Sequence, residues 1–186
     1  VTHTGLAQIE FGPRVAAVSS EIHLDGHFLI PVDNRGRQTG FQVGFYLREK
    51  LPLKGWYIQP EMLYGRLNSM FFVDVFTFDT RLTRLDAPIL IGKKLGPVRL
   101  NAGPLFRYVI KGEARDQARF FDITESLETF RVWWQVGIGT DIKGFAIDLK
   151  YGKGRTAFGS QSSLSALTIN SKRDDWVIAV GYRLIK

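Results

Sequence analysis

Between Thr129 and Gly152 the chain alternates apolar and polar residues with a period of two, and this constrains the fold more than any other feature. Phe130, Val132, Trp134, Val136, Ile138 and Ile142 form one series. Arg131, Trp133, Gln135, Gly137, Gly139 and Asp141 lie between them. After Lys143-Gly144 the pattern restarts, with Phe145, Ile147, Leu149 and Tyr151 set against Ala146, Asp148, Lys150 and Gly152. Side chains of an extended chain point alternately to opposite faces, so the stretch reads as two β-strands, each with one apolar face. The Lys-Gly pair suits a tight hairpin, because Gly accepts a positive φ without a Cβ penalty. A helix does not fit. Helical spacing over Phe130–Tyr151 mixes charged and apolar residues on every face, and Gly137, Gly139, Gly144 and Gly152 would weaken it. The second face carries charge and glycine.

The same unit recurs along the chain, giving eight strand segments. Ala7–Ser20 sets Ile9, Phe11, Val15 and Ala17 against Glu10, Gly12 and Arg14. Thr39–Lys50 sets Phe41, Val43, Phe45 and Leu47 against Gln42, Gly44, Tyr46 and Arg48. Trp56–Leu67 sets Trp56, Ile58, Met62 and Tyr64 against Gln59 and Glu61. Arg81–Lys94 sets Leu85, Ala87, Ile89 and Ile91 against Asp86, Leu90 and Gly92. Val98–Lys111 sets Leu100, Ala102, Phe106, Tyr108 and Ile110 against Arg99, Asn101, Gly103 and Arg107. After the pair described first, Arg173–Ile185 sets Trp176, Ile178, Val180, Tyr182 and Leu184 against Asp175, Gly181 and Arg183. Pro13, Pro60, Pro88 and Pro104 fall inside these segments, where a missing N–H normally argues against a central strand. The alternation resumes in phase around each, and bulges are expected to absorb them.

The connections alternate strictly between long and short. In an up-and-down barrel this places all long loops at one rim, with the short turns and both termini at the other. The 186 residues are expected to form a single domain over 1–186. No run of eighteen uncharged apolar residues exists to form a transmembrane helix. Spanning β-strands hide their hydrophobicity in alternation, so this does not argue against a membrane protein. Cysteine is absent, which removes disulfides and thiolate chemistry. The net charge of +7 comes from scattered residues with no basic run or recognition helix, so nucleic acid is not expected as a partner. The chain starts at Val1 with no signal-peptide pattern, compatible with an exported protein whose signal has been removed.

Two barrels satisfy the alternation. A soluble, lipocalin-like ligand-binding barrel turns its apolar face inward, whereas a transmembrane barrel turns it to lipid. The polar face carries both signs: Glu10, Arg14, Arg48, Glu61, Asp86, Arg99, Arg107, Arg131, Asp141, Asp148, Lys150 and Arg183. An eight-stranded lumen is only wide enough for its own side chains, where opposite charges pair. Aromatics gather at two levels: Trp56, Phe145 and Tyr182 toward the short-turn rim, and Tyr108, Trp134, Tyr151 and Trp176 toward the long-loop rim. Two such levels match interfacial girdles. The expected fold is therefore all-β, an eight-stranded antiparallel up-and-down transmembrane β-barrel with an interior charge network.

Gly40–Arg66, Leu85–Gly112, Trp134–Gly154 and Val177–Lys186 carry a resemblance. Its marks are QPEMLY at Gln59–Tyr64, LDAPILIGKKLG at Leu85–Gly96, LNAGP at Leu100–Pro104 and the closing GYR at Gly181–Arg183. In these the chain resembles the PorT-like outer-membrane β-barrel domain of Bacteroidetes-type Gram-negative bacteria, a family of OmpX/OmpA-like architecture. The chain departs from many such barrels in ending Leu-Ile-Lys rather than on an aromatic residue. The resemblance implies an integral outer-membrane protein with extracellular long loops and periplasmic termini, and it carries no catalytic residues. Expected partners are outer-membrane lipid, lipopolysaccharide and other outer-membrane proteins. The expected role is that of a structural or accessory subunit of an assembly or secretion complex, or of a surface interaction protein.

Chemistry-bearing motifs are sparse. His23, Asp25 and His27 share a face of an extended chain, but no fourth ligand stands near and Asp25-Gly26 reads as a turn. Ser19, Ser20, His23 and Asp25 hold the residue types of a triad or of a rim-located lipid-modifying enzyme, but a triad is defined by geometry rather than proximity in sequence. Gly152-Lys-Gly-Arg155 lacks the ending and helix of a phosphate loop. No enzyme activity, cofactor or metal is expected. Asn68–Asp79 is too apolar to be left bare in water. It reads either as a hairpin extending its flanking strands or as a partner contact through Phe71, Phe72, Phe76 and Phe78.

Overall fold

The computed structural model describes residues 9–25, 35–73, 76–116, 119–122, 129–158 and 169–185. Its strands are β1 Ile9–Asp25, β2 Arg35–Lys50, β3 Trp56–Val73, β4 Phe76–Leu95, β5 Val98–Asp116, β6 Arg119–Asp122, β7 Phe130–Ile142, β8 Phe145–Phe158 and β9 Ile169–Tyr182. Eight of them close into an antiparallel barrel. Neighbours in sequence pair, β5 pairs β7, and β1 pairs β9 to seal the cylinder. Among the described residues the short β6 stands outside this ring and pairs only with the far end of β5. Closure removes the sheet edges, so the spanning backbone satisfies its own hydrogen bonds, as a bilayer requires. The described residues contain no helix.

Three short turns mark one rim. Lys143 (φ 48°) and Gly144 (φ 90°) both adopt positive φ between β7 and β8, the requirement of a type I′ hairpin. Gly96 turns β4 into β5, and the β2–β3 turn is held by the Leu51 N–H donating to the Trp56 carbonyl at 3.0 Å. Ile9 pairs with Glu49 and Phe11 bridges to Ile185, so both described ends of the chain lie at this same rim.

The strands run beyond their sequence segments at the opposite end. β1 continues to Asp25, and β3–β4 pairing continues through Phe71–Phe78 to Val73–Phe76. The stretch 68–80 is thus largely a hairpin rather than a loop. The third connection likewise contains the end of β5 together with β6. Backbone pairing carries these extensions, and side-chain alternation does not report it.

Pro60, Pro88 and Pro104 are accommodated without bulges, whereas a bulge lies beside Pro13: Arg14 pairs with Gly181 but Phe11 bridges to Ile185, one residue out of register, and the Phe11 carbonyl accepts from both Leu184 and Ile185. Pairing of β3 with β4 skips from Pro60–Ile89 to Leu63–Asp86, and pairing of β4 with β5 skips from Pro88–Leu105 to Ile91–Ala102. Each ladder resumes in the same register, so rungs are missing but no residue is inserted. Another register shift falls at Thr83/Arg84, away from the prolines, where Ile110 is the extra residue on β5.

The faces are inverted relative to a soluble protein. Phe41 is 76% exposed and Trp134 67%, while Arg14, Arg84, Arg99 and Arg107 are essentially inaccessible. This is opposite to a lipocalin-like barrel. The inner face is more apolar than the alternation suggests. Ala16, Val18, Leu67, Val177 and Ala179 form a small internal cluster with Leu82 against it, and Tyr46, Tyr57, Leu90, Leu105 and Trp133 are also buried. Missing side chains make room for the large rings. A Cβ on Gly154 would come within 2.3 Å of the Trp133 ring, and one on Gly92 within 2.2 Å of the Tyr57 ring.

Candidate functional site

The candidate site is the lumen and its two mouths. Strand alternation sends every second side chain inward, and the narrow cylinder brings residues far apart in sequence into contact. At the short-turn mouth Arg48 Nη1 donates to Glu10 at 2.9 Å and to Asp141 at 3.2 Å. Its guanidinium lies 5.5 Å from the Tyr46 ring and 5.2 Å from the Tyr57 ring. Lys94 and Arg99 also reach Asp141, and Arg183 reaches Glu10 at 3.3 Å. Arg99 spans from Asp141 to Asp148, both at 3.1 Å, and so links the mouth to the middle of the barrel.

In the middle, Glu61 accepts from Lys150 at 2.6 Å, Arg14 at 3.0 Å and Gln59 at 2.6 Å. Arg14 also pairs with Asp148. A third group joins Asp86 and Asp175 through Arg84 and Arg107, with Arg107 at 2.8 Å from Asp86 and 2.6 Å from Asp175. Gln42 donates to Asp86 and Ser20 to Asp175. Arg107 stacks 4.0 Å above Trp133. Charges removed from water persist when paired, and each charge in these groups has an opposite partner.

Of the twelve charged residues the alternation turns inward, Glu10, Arg14, Arg48, Glu61, Asp86, Arg99, Arg107, Asp141, Asp148, Lys150 and Arg183 thus lie in ion pairs. Arg131 is buried on β7, opposite Arg107 in the β5–β7 register. Sequence reasoning left Arg84 and Asp175 out of the network, although both are buried at its centre. Asp175 carried a legible signal, because it falls on the inward parity of its strand. Arg84 carried the same signal, because it shares the parity of Asp86, Leu90 and Gly92 within Arg81–Lys94, although Arg81-Leu-Thr-Arg-Leu85 blurs the alternation just before it.

On the outer face Trp56, Tyr108, Trp134, Phe145, Trp176 and Tyr182 are exposed. Phe145 packs on Tyr182, and Tyr151 on Trp176, each with ring centroids 5.1 Å apart. The backbones of His23, Asp25, Phe71, Phe72, Phe76 and Phe78 lie in strands, but their side chains fall outside the described residues, as does all of His27. Among the described residues no group of three or more metal-ligating side chains assembles.

The barrel finds its counterparts among solved outer-membrane proteins. The attachment invasion locus protein Ail of Yersinia pestis, solved with the heparin analogue sucrose octasulfate, superimposes with a TM-score of 0.55 at 16% identity over 95% of this chain and 99% of that one. Neisserial surface protein A gives 0.53 at 10% identity, covering 91% and 96% of the two chains. OprG of Pseudomonas aeruginosa gives 0.51 at 12% identity, covering 97% of each. At these identities the likeness is one of fold. No curated protein sequence matches the chain. A family model for the outer membrane protein beta-barrel domain matches residues 7–154, most of the barrel. The inverted faces, the closed eight-stranded ring and this match agree: the chain belongs to the outer membrane protein beta-barrel domain family, and is a small β-barrel of the bacterial outer membrane.

Proposed function

We propose that this barrel is a plugged, non-enzymatic membrane anchor that works through its long-loop end. It serves as an accessory subunit of an outer-membrane assembly or secretion complex, of the PorT-like kind its sequence resembles, or as a surface interaction protein. The observation that carries the reading is the filled lumen. Ion pairs reach from Glu10 and Asp141 at one mouth through Glu61 and Asp148, and Asp86 and Asp175 are paired in the same manner. A lumen occupied in this way offers no wide water path. Ser20, a candidate nucleophile by residue type, is buried and bound to Asp175, which suits a structural role.

Long loops extracellular and termini periplasmic is the orientation that accounts for the outer charges. Tyr64, Leu85 and Tyr108 form one outward row across β3, β4 and β5. The next row toward the long-loop end is Arg66, Thr83 and Lys111, and Arg81 follows beyond it. Arg66, Arg81 and Lys111 are exposed to the barrel's surroundings. Cations just beyond an apolar and aromatic band suit the phosphates of an outer leaflet built of lipopolysaccharide, with the two aromatic levels as interfacial girdles. The aromatic hairpin with Phe71, Phe72, Phe76 and Phe78 projects from the same end and is the candidate partner contact. The test is conduction. Purified barrel in planar bilayers is expected to show no stable, porin-sized single-channel conductance, and reproducible large openings would overturn the plugged-anchor reading.

A further inference from the structure

The short-turn mouth holds a cavity of about 180 Å³ between the β2–β3 turn and the base of the lumen. Five cations line it: Arg48, Lys50, Lys54, Lys94 and Arg99. The carboxylates that line it are Glu10 and Asp141. Both are already shared several ways. Glu10 meets Arg48, Lys50 and Arg183, and Asp141 meets Arg48, Lys94 and Arg99. The positive excess is not relieved deeper in the barrel. There, among the described residues, the buried cations Arg14, Arg84, Arg107 and Lys150 are paired with Glu61, Asp86, Asp148 and Asp175. Arg48 also keeps a buried guanidinium nitrogen, Nη2, with no hydrogen-bond partner. Leu51, Pro52 and Leu53 add an apolar wall, and Lys50, Lys54 and Lys94 stand at the exposed lip.

We propose that this mouth is a binding site for a single oxyanion group, carboxylate or phosphate, carried on an apolar stem. Low-dielectric walls around one sign of charge focus the potential and concentrate a counter-ion. Arg48 offers its unpartnered Nη2, the lip lysines supply point charges, and the Leu51–Leu53 side receives the stem. The site lies at the opposite end of the barrel from the long-loop contact proposed above, so the two are separable by experiment.

The test uses the folded barrel in zwitterionic nanodiscs, with amide shifts of Lys54, Gly55 and Trp56 followed by NMR. The probes are phenyl phosphate, benzoate, inorganic phosphate and, as uncharged control, benzyl alcohol. Phenyl phosphate or benzoate is expected to bind saturably and to weaken as salt rises, since exposed cations are screened. Their relative affinities rank phosphate against carboxylate as the oxyanion the mouth prefers. Inorganic phosphate is expected to bind more weakly than phenyl phosphate, and benzyl alcohol not to saturate. Lys54→Ala with Lys94→Ala removes two lip charges while leaving the buried pairs among Arg48, Arg99, Glu10 and Asp141 in place. Its affinity is expected to fall by about tenfold or more, in line with the loss of charge-assisted contacts. Heat-modifiable gel migration checks that this variant remains folded. Failure of both anionic probes to saturate, or unchanged affinity in the folded double variant, would overturn the proposal.

Discussion

At the scale of single residues the barrel asks opposite things of neighbouring positions. Val136, at mid-strand on β7, is 52% exposed, while Gln135 beside it is buried in the lumen. A cation at Val136 would face hydrocarbon. Val136→Arg is therefore expected to cost about 2–4 kcal/mol, the penalty for a charge near the bilayer midplane. Val136→Leu should be close to neutral, and refolding into liposomes across a urea series measures both. Glu61 shows the converse logic. It is the acceptor for Lys150, Arg14 and Gln59, all at 2.6–3.0 Å. Glu61→Gln leaves two buried cations short of a counter-charge and is expected to destabilise by about 3–5 kcal/mol, the cost of breaking a buried pair by removing one partner. Adding Lys150→Met removes one orphaned charge, so the double variant should recover part of the loss on the same urea series. Recovery of none of it would mean that Lys150 is not held by Glu61.

At the scale of elements the β3–β4 hairpin is the part whose purpose the barrel's own stability does not explain. Pairing runs on past Asn68–Arg81 to Val73–Phe76, with Phe71 opposite Phe78. Cross-strand aromatics stabilise a hairpin on its own, whereas an aromatic buried by a partner can act as a hot spot of 2 kcal/mol or more. The variant Phe72→Ser with Phe76→Ser separates these uses. A partner contact predicts that copurifying proteins from native outer membranes fall away while heat-modifiable migration stays normal. A self-packed hairpin predicts an unchanged copurification profile and faster proteolysis between residues 68 and 80.

At the scale of the whole molecule the fold inverts the usual arrangement, with charge inside and large apolar side chains outside. The hydrophobic effect in water then opposes the folded state rather than driving it. Diluting the urea-unfolded chain into detergent or lipid should produce a β-sheet circular dichroism spectrum and a heat-modifiable band. Diluting it into buffer alone should produce aggregate. A soluble monomeric β-protein in buffer alone would contradict the face assignment. Two of the prolines teach the same lesson about scale. In a closed ring, neighbouring strands hold the register across missing rungs, as at Pro60 and Pro88, so a residue that would disqualify an isolated central strand is tolerated here.

The sequence by itself determined the strands, their facing and the order of long and short connections, because period-two alternation and turn residues are local properties. Phe130 through Ile142 declare their two faces without reference to any other strand, and Lys143-Gly144 declares the turn. Only the tertiary structure decided which charges meet. Arg14 finds Glu61 and Asp148, 47 and 134 positions away, and Asp175 meets Arg84 and Arg107. Such meetings depend on strand stagger and barrel closure, and alternation is blind to both. Arg84 shows the limit. Its parity with Asp86, Leu90 and Gly92 turns it inward, but only barrel closure brings it to Asp175, 91 positions away.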